Sequence, residues 1–281
     1  MFAQDFVGNP TIPPLLEKVA AEFAVFPQVV AIAWAGSRTN QSSDRESDYD
    51  LYVYRDADIA VEDRSAIAKK FAQKMEINNQ FWETGDEWIV SESGVGVDLM
   101  YRNPQWIEGE IDRILVHHQA SVGYSTCLWW NVLTSVCLFD RNGWFKKLQE
   151  KANQPYPDEL KKAIVAKNYP ILKQNISAYT HQLQLAIDRQ DKISVLHRTT
   201  ALLASYFDIV FALNSVPHPG EKRLLQQVLK LCDQVPENLG EKINEIIDSL
   251  SSESYSLFLE KINLLVDDLE QLLITESFLT N

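Results

Sequence analysis

A chain of 281 residues, 46% hydrophobic and 23% charged, is long enough for one or two well-packed cores and has a globular composition, which excludes disordered and fibrous classes. Its 26 basic and 39 acidic residues leave a net charge of −13, a field that repels polyphosphate chains, so nucleic acid is disfavoured as a partner and a cationic small molecule would be attracted. Three cysteines, Cys127, Cys137 and Cys232, form no CxxC pair and are odd in number, which argues against a disulfide framework or a thiolate zinc site and for simple packing.

In chain order, the start Met1-Phe-Ala-Gln-Asp-Phe6 lacks the basic and apolar regions of a signal peptide. Leu15, Leu16, Val19, Ala20, Phe23 and Ala24 recur at helical spacing, so residues 13–26 are expected as an amphipathic helix that Pro27 ends. Residues 29–35 are a continuous apolar run of strand length, closed by Gly36. The polar residues 37–46 are expected as loop or short helix, 49–54 as a strand and 61–77 as a helix. Residues 88–90 and 95–101 are expected as two short strands separated by 91–94. After Asn103-Pro104 the strands are expected to stop: apolar residues at helical spacing run through 107–140 and 160–213, with further helices at 222–232, 240–250 and 254–273. The longest apolar run, 128–139, is broken by Asn131, Thr134 and Ser135 and falls short of the roughly 20 residues a membrane span needs. The expected fold class is therefore α+β, with a small mixed β-sheet domain over 1–104 followed by an all-α helical domain over 105–281, located in the cytoplasm without a membrane partner.

One stretch does not fit a plain apolar core. Asp48 and Asp50 lie two apart on a strand, so their side chains share a face at roughly 7 Å, with Tyr49 and Leu51 on the other. Alone, D-x-D usually marks a solvated edge strand. Here it follows an apolar strand and a Gly36-Ser37 turn, where a missing side chain lets backbone approach a phosphate and following amides can donate to it. Paired carboxylates repel unless cations share the space, and all-oxygen ligands suit Mg²⁺. Asp98, flanked by apolar residues in Gly96-Val-Asp-Leu-Met100, is the natural third acid of a site for two divalent ions.

Gly36-Ser37, ten intervening residues, Asp48-Tyr-Asp50 and the later Asp98 resemble the signature of the DNA polymerase β-like nucleotidyltransferase superfamily, over about residues 29–101. The resemblance implies Asp48 and Asp50 as ligands of Mg²⁺ and of a nucleoside triphosphate, with Gly36, Ser37, Arg38 and Ser47 around the phosphates. It implies Asp98 as a third metal ligand or as the base toward an acceptor hydroxyl, a role for which Glu83, Asp86, Glu87 and Glu92 compete. An α/β domain followed by helices is similar to the bacterial antibiotic adenylyltransferases acting on aminoglycosides or lincosamides. The phrases Leu138-Phe-Asp-Arg-Asn-Gly-Trp144 and Phe211-Ala-Leu-Asn-Ser-Val-Pro-His-Pro-Gly-Glu-Lys-Arg223 resemble uncharacterised bacterial nucleotidyltransferase-like proteins. Polymerases and RNA-tailing members carry basic surfaces, and the net charge of −13 departs from them.

Lys222 and Arg223 are placed in the first turn of a helix, against the macrodipole, and an anion there would remove the conflict, so both are expected as ligands of the β- and γ-phosphates. The expected activity is Mg²⁺-dependent transfer of AMP, or another nucleoside monophosphate, to a hydroxyl of a small, aminoglycoside-like acceptor with release of pyrophosphate. The alternatives are a non-catalytic nucleotide-binding or interaction module, and an enzyme that AMPylates a protein partner. His117, His118, His181 and His197 show no metal-ligand spacing, and no G-x-S-x-G or Walker loop is present.

Overall fold

A computed structural model describes residues 10–39, 47–81, 83–250 and 255–279, the side chain of Ser256 excepted. Residues 1–9, expected to lack a signal peptide, and residues 40–46, part of the stretch 37–46 expected as loop or short helix, lie outside the described residues. The chain divides into two compact units, one of residues 1–113 and 128–155 and one of 114–127 and 156–281. The fold class is α+β as expected, a mixed sheet with helices, but the chain does not divide at a single break after residue 104.

The first unit is built on a six-stranded sheet in the order β3-β4-β5-β2-β1-β6. Its strands are β1 (Val29–Ala35), β2 (Tyr49–Arg55), β3 (Ala72–Asn79), β4 (Gly85–Val90), β5 (Gly96–Arg102) and β6 (Val136–Asp140). Every neighbouring pair is antiparallel except β2 and β5, which run parallel. Helix α1 (Pro14–Ala24) starts with proline at its first position, where the missing N–H costs nothing, and buries Leu16, Val19, Ala20 and Phe23 along one stripe. That stripe packs with Ile32, Trp34, Leu51, Val53, Trp88, Val97 and Leu99 into the core on one face of the sheet.

Two expectations are corrected. The helix expected over 61–77 ends at Ala68 as α2 (Val61–Ala68), and residues 72–79 form β3. Met75 and Ile77 alternate with Lys74, Glu76 and Asn78, a period-2 pattern that becomes decisive only once β4 supplies a hairpin partner. Within 107–140, helices α3 (Pro104–Leu115) and α4 (Cys127–Thr134) are followed by the strand β6, which covers the free edge of β1. Helix α4 stops where Ser135 turns its hydroxyl back to the Asn131 carbonyl at 2.6 Å. An apolar run as short as 136–139 cannot be told from helix by periodicity, and here the edge of β1 that it pairs with decides.

The return of β6 also explains the phrase around Arg141. Its guanidinium donates to three carbonyls, Val29 at 2.8 Å, Ala24 at 2.9 Å and Phe26 at 3.1 Å, clamping the turn from α1 into β1. Asp140 accepts from the amides of Phe145 and Lys146 at the start of α5 (Trp144–Ala152). Asn142 and Gly143, with φ of 61 and 68, make the left-handed turn between them.

The second unit is helical: α6 (Asp158–Leu172), α7 (Tyr179–Asp188), α8 (Lys192–Leu213), α9 (Leu224–Leu231), α10 (Leu239–Ser249) and α11 (Tyr255–Thr275). Asp208 is buried within α8 and accepts from Ser125 N at 2.9 Å, Ser125 Oγ at 2.6 Å and Asn168 Nδ2 at 3.2 Å. His218, also buried, donates its main-chain N–H to Thr126 Oγ1 at 2.7 Å and accepts from the Gly220 N–H at Nδ1, 3.0 Å away. Burial lowers the ring to about 3, so it is neutral near pH 7 with its proton on Nε2. The cysteines are free thiols, partly or fully buried, and burial raises all three. No helix among the described residues is long and apolar enough to cross a membrane.

Burial, partly offset by the Ser125 and Asn168 hydrogen bonds, pushes the Asp208 carboxyl up to about 6 from an ordinary 3.8. Native Asp208 therefore holds its proton more tightly than the unfolded chain does. Its contribution to stability is full below about pH 4 and is lost as pH rises through 6, a change of about 3 kcal/mol. Asp208→Asn is expected to lose about 3 kcal/mol less than the wild type between pH 3 and pH 7 in urea unfolding. Identical pH dependence in the two proteins would refute it.

Candidate active site

β1 ends at Gly36, whose φ of +77 is open to glycine at little cost. A 3-10 turn over Ser37–Thr39 follows, closed by the buried Thr39, whose hydroxyl donates to the Gly36 carbonyl at 2.9 Å. Arg38 reaches across the spacer. Its Nε donates to the Ser47 carbonyl at 2.7 Å and its guanidinium lies 4.4 Å from the Tyr49 ring centroid. The Arg38 and Ser47 expected around phosphates are thus joined to each other and steady the entry into β2.

Asp50 on β2, and Asp48 in the residue just before it, turn toward the sheet face opposite the α1 core. Leu51 and Val53 enter that core, and Asp48, Asp50 and Tyr52 alternate with them. Asp50 pairs with Ala35 on one side and with Asp98 on the other. The row continues: Asp98 pairs with Glu87 of β4, and Glu87 with Glu76 of β3. Directly paired residues share a face, so Glu76, Glu87, Asp98 and Asp50 form one line of carboxylates across four strands. Like charges directly opposite each other work against pairing in a ladder, and Glu87, exposed like Glu76, accepts from the Asn79 amide at 3.2 Å.

Two glycines make room for the acids. A Cβ on Gly36 would lie 2.6 Å from Asp50 Cγ and closer still to Oδ2, and one on Gly96 would lie 2.6 Å from Asp48 Cγ and closer still to Oδ1. Each carboxylate therefore rests on bare backbone, Asp50 beside the Gly36-Ser37 turn and Asp48 over the start of β5. A cavity of about 160 Å³ opens beside Asp48 and Asp98, lined also by Lys74, Glu76, Glu87 and Ile89 among others, with Asp50 outside it. One register step along β2, the Tyr52 hydroxyl donates to Asn131 Oδ1 at 2.8 Å, and burial, with Asp50 and Glu83 adding to it, raises the phenol.

The competing acids separate cleanly. Asp86 points into the core and accepts from Arg64 Nη1 at 3.1 Å, Asn78 N at 2.8 Å and the Tyr101 hydroxyl at 2.5 Å. Glu83 takes a two-pronged ion pair from Arg102 at 2.7 and 2.8 Å. Glu92 sits exposed in the turn between β4 and β5. Glu87 alone of the four stands in the carboxylate row. Glu76 and Lys74, which the sequence reading missed, join it because residues 72–79 are strand.

Asp48, Asp50 and Asp98 lie at one end of neighbouring strands, yet among the described residues no three His, Cys, Asp or Glu side chains are grouped tightly enough to hold a metal ion as they stand. The donor set, all carboxylate oxygen on glycine-cleared backbone, fits a hard divalent cation such as Mg²⁺. Lys222 and Arg223 belong to the second unit, and the helix there opens later than expected. Arg223, with φ of 53, is the N-cap of α9, so both cations precede its first turn rather than occupy it.

Comparison with known proteins adds little to this geometry. A domain of unknown function (DUF4037) matches residues 128–224, a span that includes β6 and the His218 turn but not Asp48, Asp50, Glu76, Glu87 or Asp98. No curated protein matches the sequence. Among solved structures, the crystal structure of a nucleotidyltransferase-like protein from Exiguobacterium sibiricum 255-15 aligns with 93% of this chain and 75% of its own, at 14% identity and a TM-score of 0.43.

Proposed function

We propose that the chain is a Mg²⁺-dependent nucleotidyltransferase that moves a nucleoside monophosphate, AMP from ATP, to a hydroxyl of a small acceptor and releases pyrophosphate. The observation that carries this reading is the seating of Asp50: in register with Asp98 on the parallel neighbour and lying against Gly36 at the head of the Gly-Ser turn. Asp48, Asp50 and Asp98 would hold Mg²⁺, which when bound neutralises phosphate charge. The residues themselves bring the turn amides after Gly36 and the acids to one end of the sheet, so that a triphosphate on the turn would face the carboxylates. Glu87, exposed and next in the row, is placed to take the proton of the acceptor hydroxyl. The exposed Glu76 beside it favours an amine-bearing acceptor, in keeping with an aminoglycoside-like molecule.

The test is calorimetric titration with a non-hydrolysable ATP analogue, with and without Mg²⁺, on the wild type and on the Asp48→Asn, Asp50→Asn double variant. Mg²⁺-dependent binding that the variant loses is the expected result. A wild type that binds neither this analogue nor those of GTP, CTP and UTP would sink the reading and direct the search to protein partners.

A further inference from the structure

Within the second unit, a groove of about 710 Å³ runs between α7 and α11. Ile187 of α7 with Leu259 and Leu264 of α11 supply its apolar surface, and Asp188, Glu260 and Asp267 its charges. Among the described residues that line it there is no Lys, Arg or His. The groove is not a by-product of how α11 packs. That helix already buries a complete stripe, Phe258, Ile262, Leu265, Val266, Leu269 and Leu273, each 0% exposed. The residues facing the groove form a second stripe offset from the first, and Leu264 on it is 51% exposed. On that stripe the half-buried Tyr255 and Leu259 and the exposed Leu264 alternate with Glu260, Asn263 and Asp267, so it is amphipathic, and Leu264 is apolar surface beyond the stripe by which α11 docks on its own core.

The lining extends along α11 from Tyr255 to Asp267. At 1.5 Å per residue that is about 18 Å, the length of about three turns of a docked helix. Asp267 is already paired with Lys173, and Asp188 accepts from the uncharged Gln184 amide at 2.7 Å. Asp188 and Glu260 therefore leave negative charge beside an apolar seat, on a chain whose net charge is −13.

We propose that this groove docks an amphipathic basic helix of a partner protein. Its Leu or Ile stripe would lie on Ile187, Leu259 and Leu264, and its flanking Lys or Arg would meet Asp188 and Glu260. The inference is independent of the carboxylate row and of the activity proposed for it.

The probe is a fluorescein-labelled Leu/Lys peptide of about 18 residues, long enough to hold a helix, titrated with the full chain at physiological ionic strength and read by anisotropy. Saturable binding is expected, weakened about tenfold or more by Leu264→Asp and by Glu260→Lys, each a change at an exposed position, and weakened equally when the peptide's Leu positions are scrambled. Circular dichroism and melting of both variants should match the wild type. Binding that survives both variants, or equal affinity for the scrambled peptide, would mean attraction to net charge alone and would overturn the proposal. So would the absence of saturable binding, preference for a Leu/Glu peptide, or self-association that Leu264→Asp abolishes, which would give the groove to a second copy of this chain.

Discussion

Gly36→Ala is expected to remove Mg²⁺-dependent nucleotide binding while leaving the chain folded. At φ +77 an L-residue costs about 1–2 kcal/mol, a tolerable loss for a chain with a core of this size. The functional cost is larger. The new Cβ would stand 2.6 Å from Asp50 Cγ, so the carboxylate must swing off the backbone it rests on, away from its register with Asp98. Binding should fall at least about tenfold, or about 1.4 kcal/mol, in the same calorimetric titration. Gly96→Ala is the internal comparison: there the crowded group is Asp48, which is exposed and can rotate, so its effect should be smaller. A Gly36→Ala protein that binds nucleotide as the wild type does would remove Asp50 from the site.

Asp86→Ala and Glu87→Gln, one residue apart, should fail in opposite ways. Asp86 is 1% exposed and Arg64 4%, and the carboxylate takes hydrogen bonds from Arg64, Asn78 and Tyr101. Its removal leaves the buried Arg64 guanidinium without a carboxylate partner, its Nη2 still donating to Asn78 Oδ1 at 2.9 Å, and breaking a buried ion pair in this way typically costs about 3–5 kcal/mol. Urea unfolding should show that loss, with nucleotide binding retained by whatever fraction remains folded. Glu87→Gln changes an exposed residue and should stay within about 0.5 kcal/mol of wild-type stability. If Glu87 is the acceptor-side base, transfer falls by about 10²–10⁴-fold with the affinity for the ATP analogue unchanged. Pyrophosphate release assayed beside calorimetry separates the two, and a Glu87→Gln protein with undiminished turnover would return the base role to Asp98.

Much of the site is local and was therefore open to reading along the chain. A strand's period of two places Asp48 and Asp50 on one face whatever surrounds them, and Gly36 marks the turn because few other residues accept its φ. The stripe of α1 and the apolar run of β1 are equally local patterns. Lys222 and Arg223 were displaced by only the few residues by which helix ends commonly vary, enough to put them ahead of α9 rather than in its first turn.

The tertiary structure decided what depends on pairing between distant segments. Residues 72–79 are strand because β4 pairs with them, and β6 is strand because β1 has an edge to cover. The division into units follows from the same return of the chain, since β6 brings residues 128–155 back to the first unit. Asp86 and Glu87 look alike in sequence, yet a single register places one in the core with Arg64 and the other beside Asp98. Register is a relation between strands, set by which side chains bury together, and a shift of one residue would exchange the two. For that reason the D-x-D pair can be found from the order of the amino acids, whereas the row that extends it to Glu87 and Glu76 exists only once the sheet has formed.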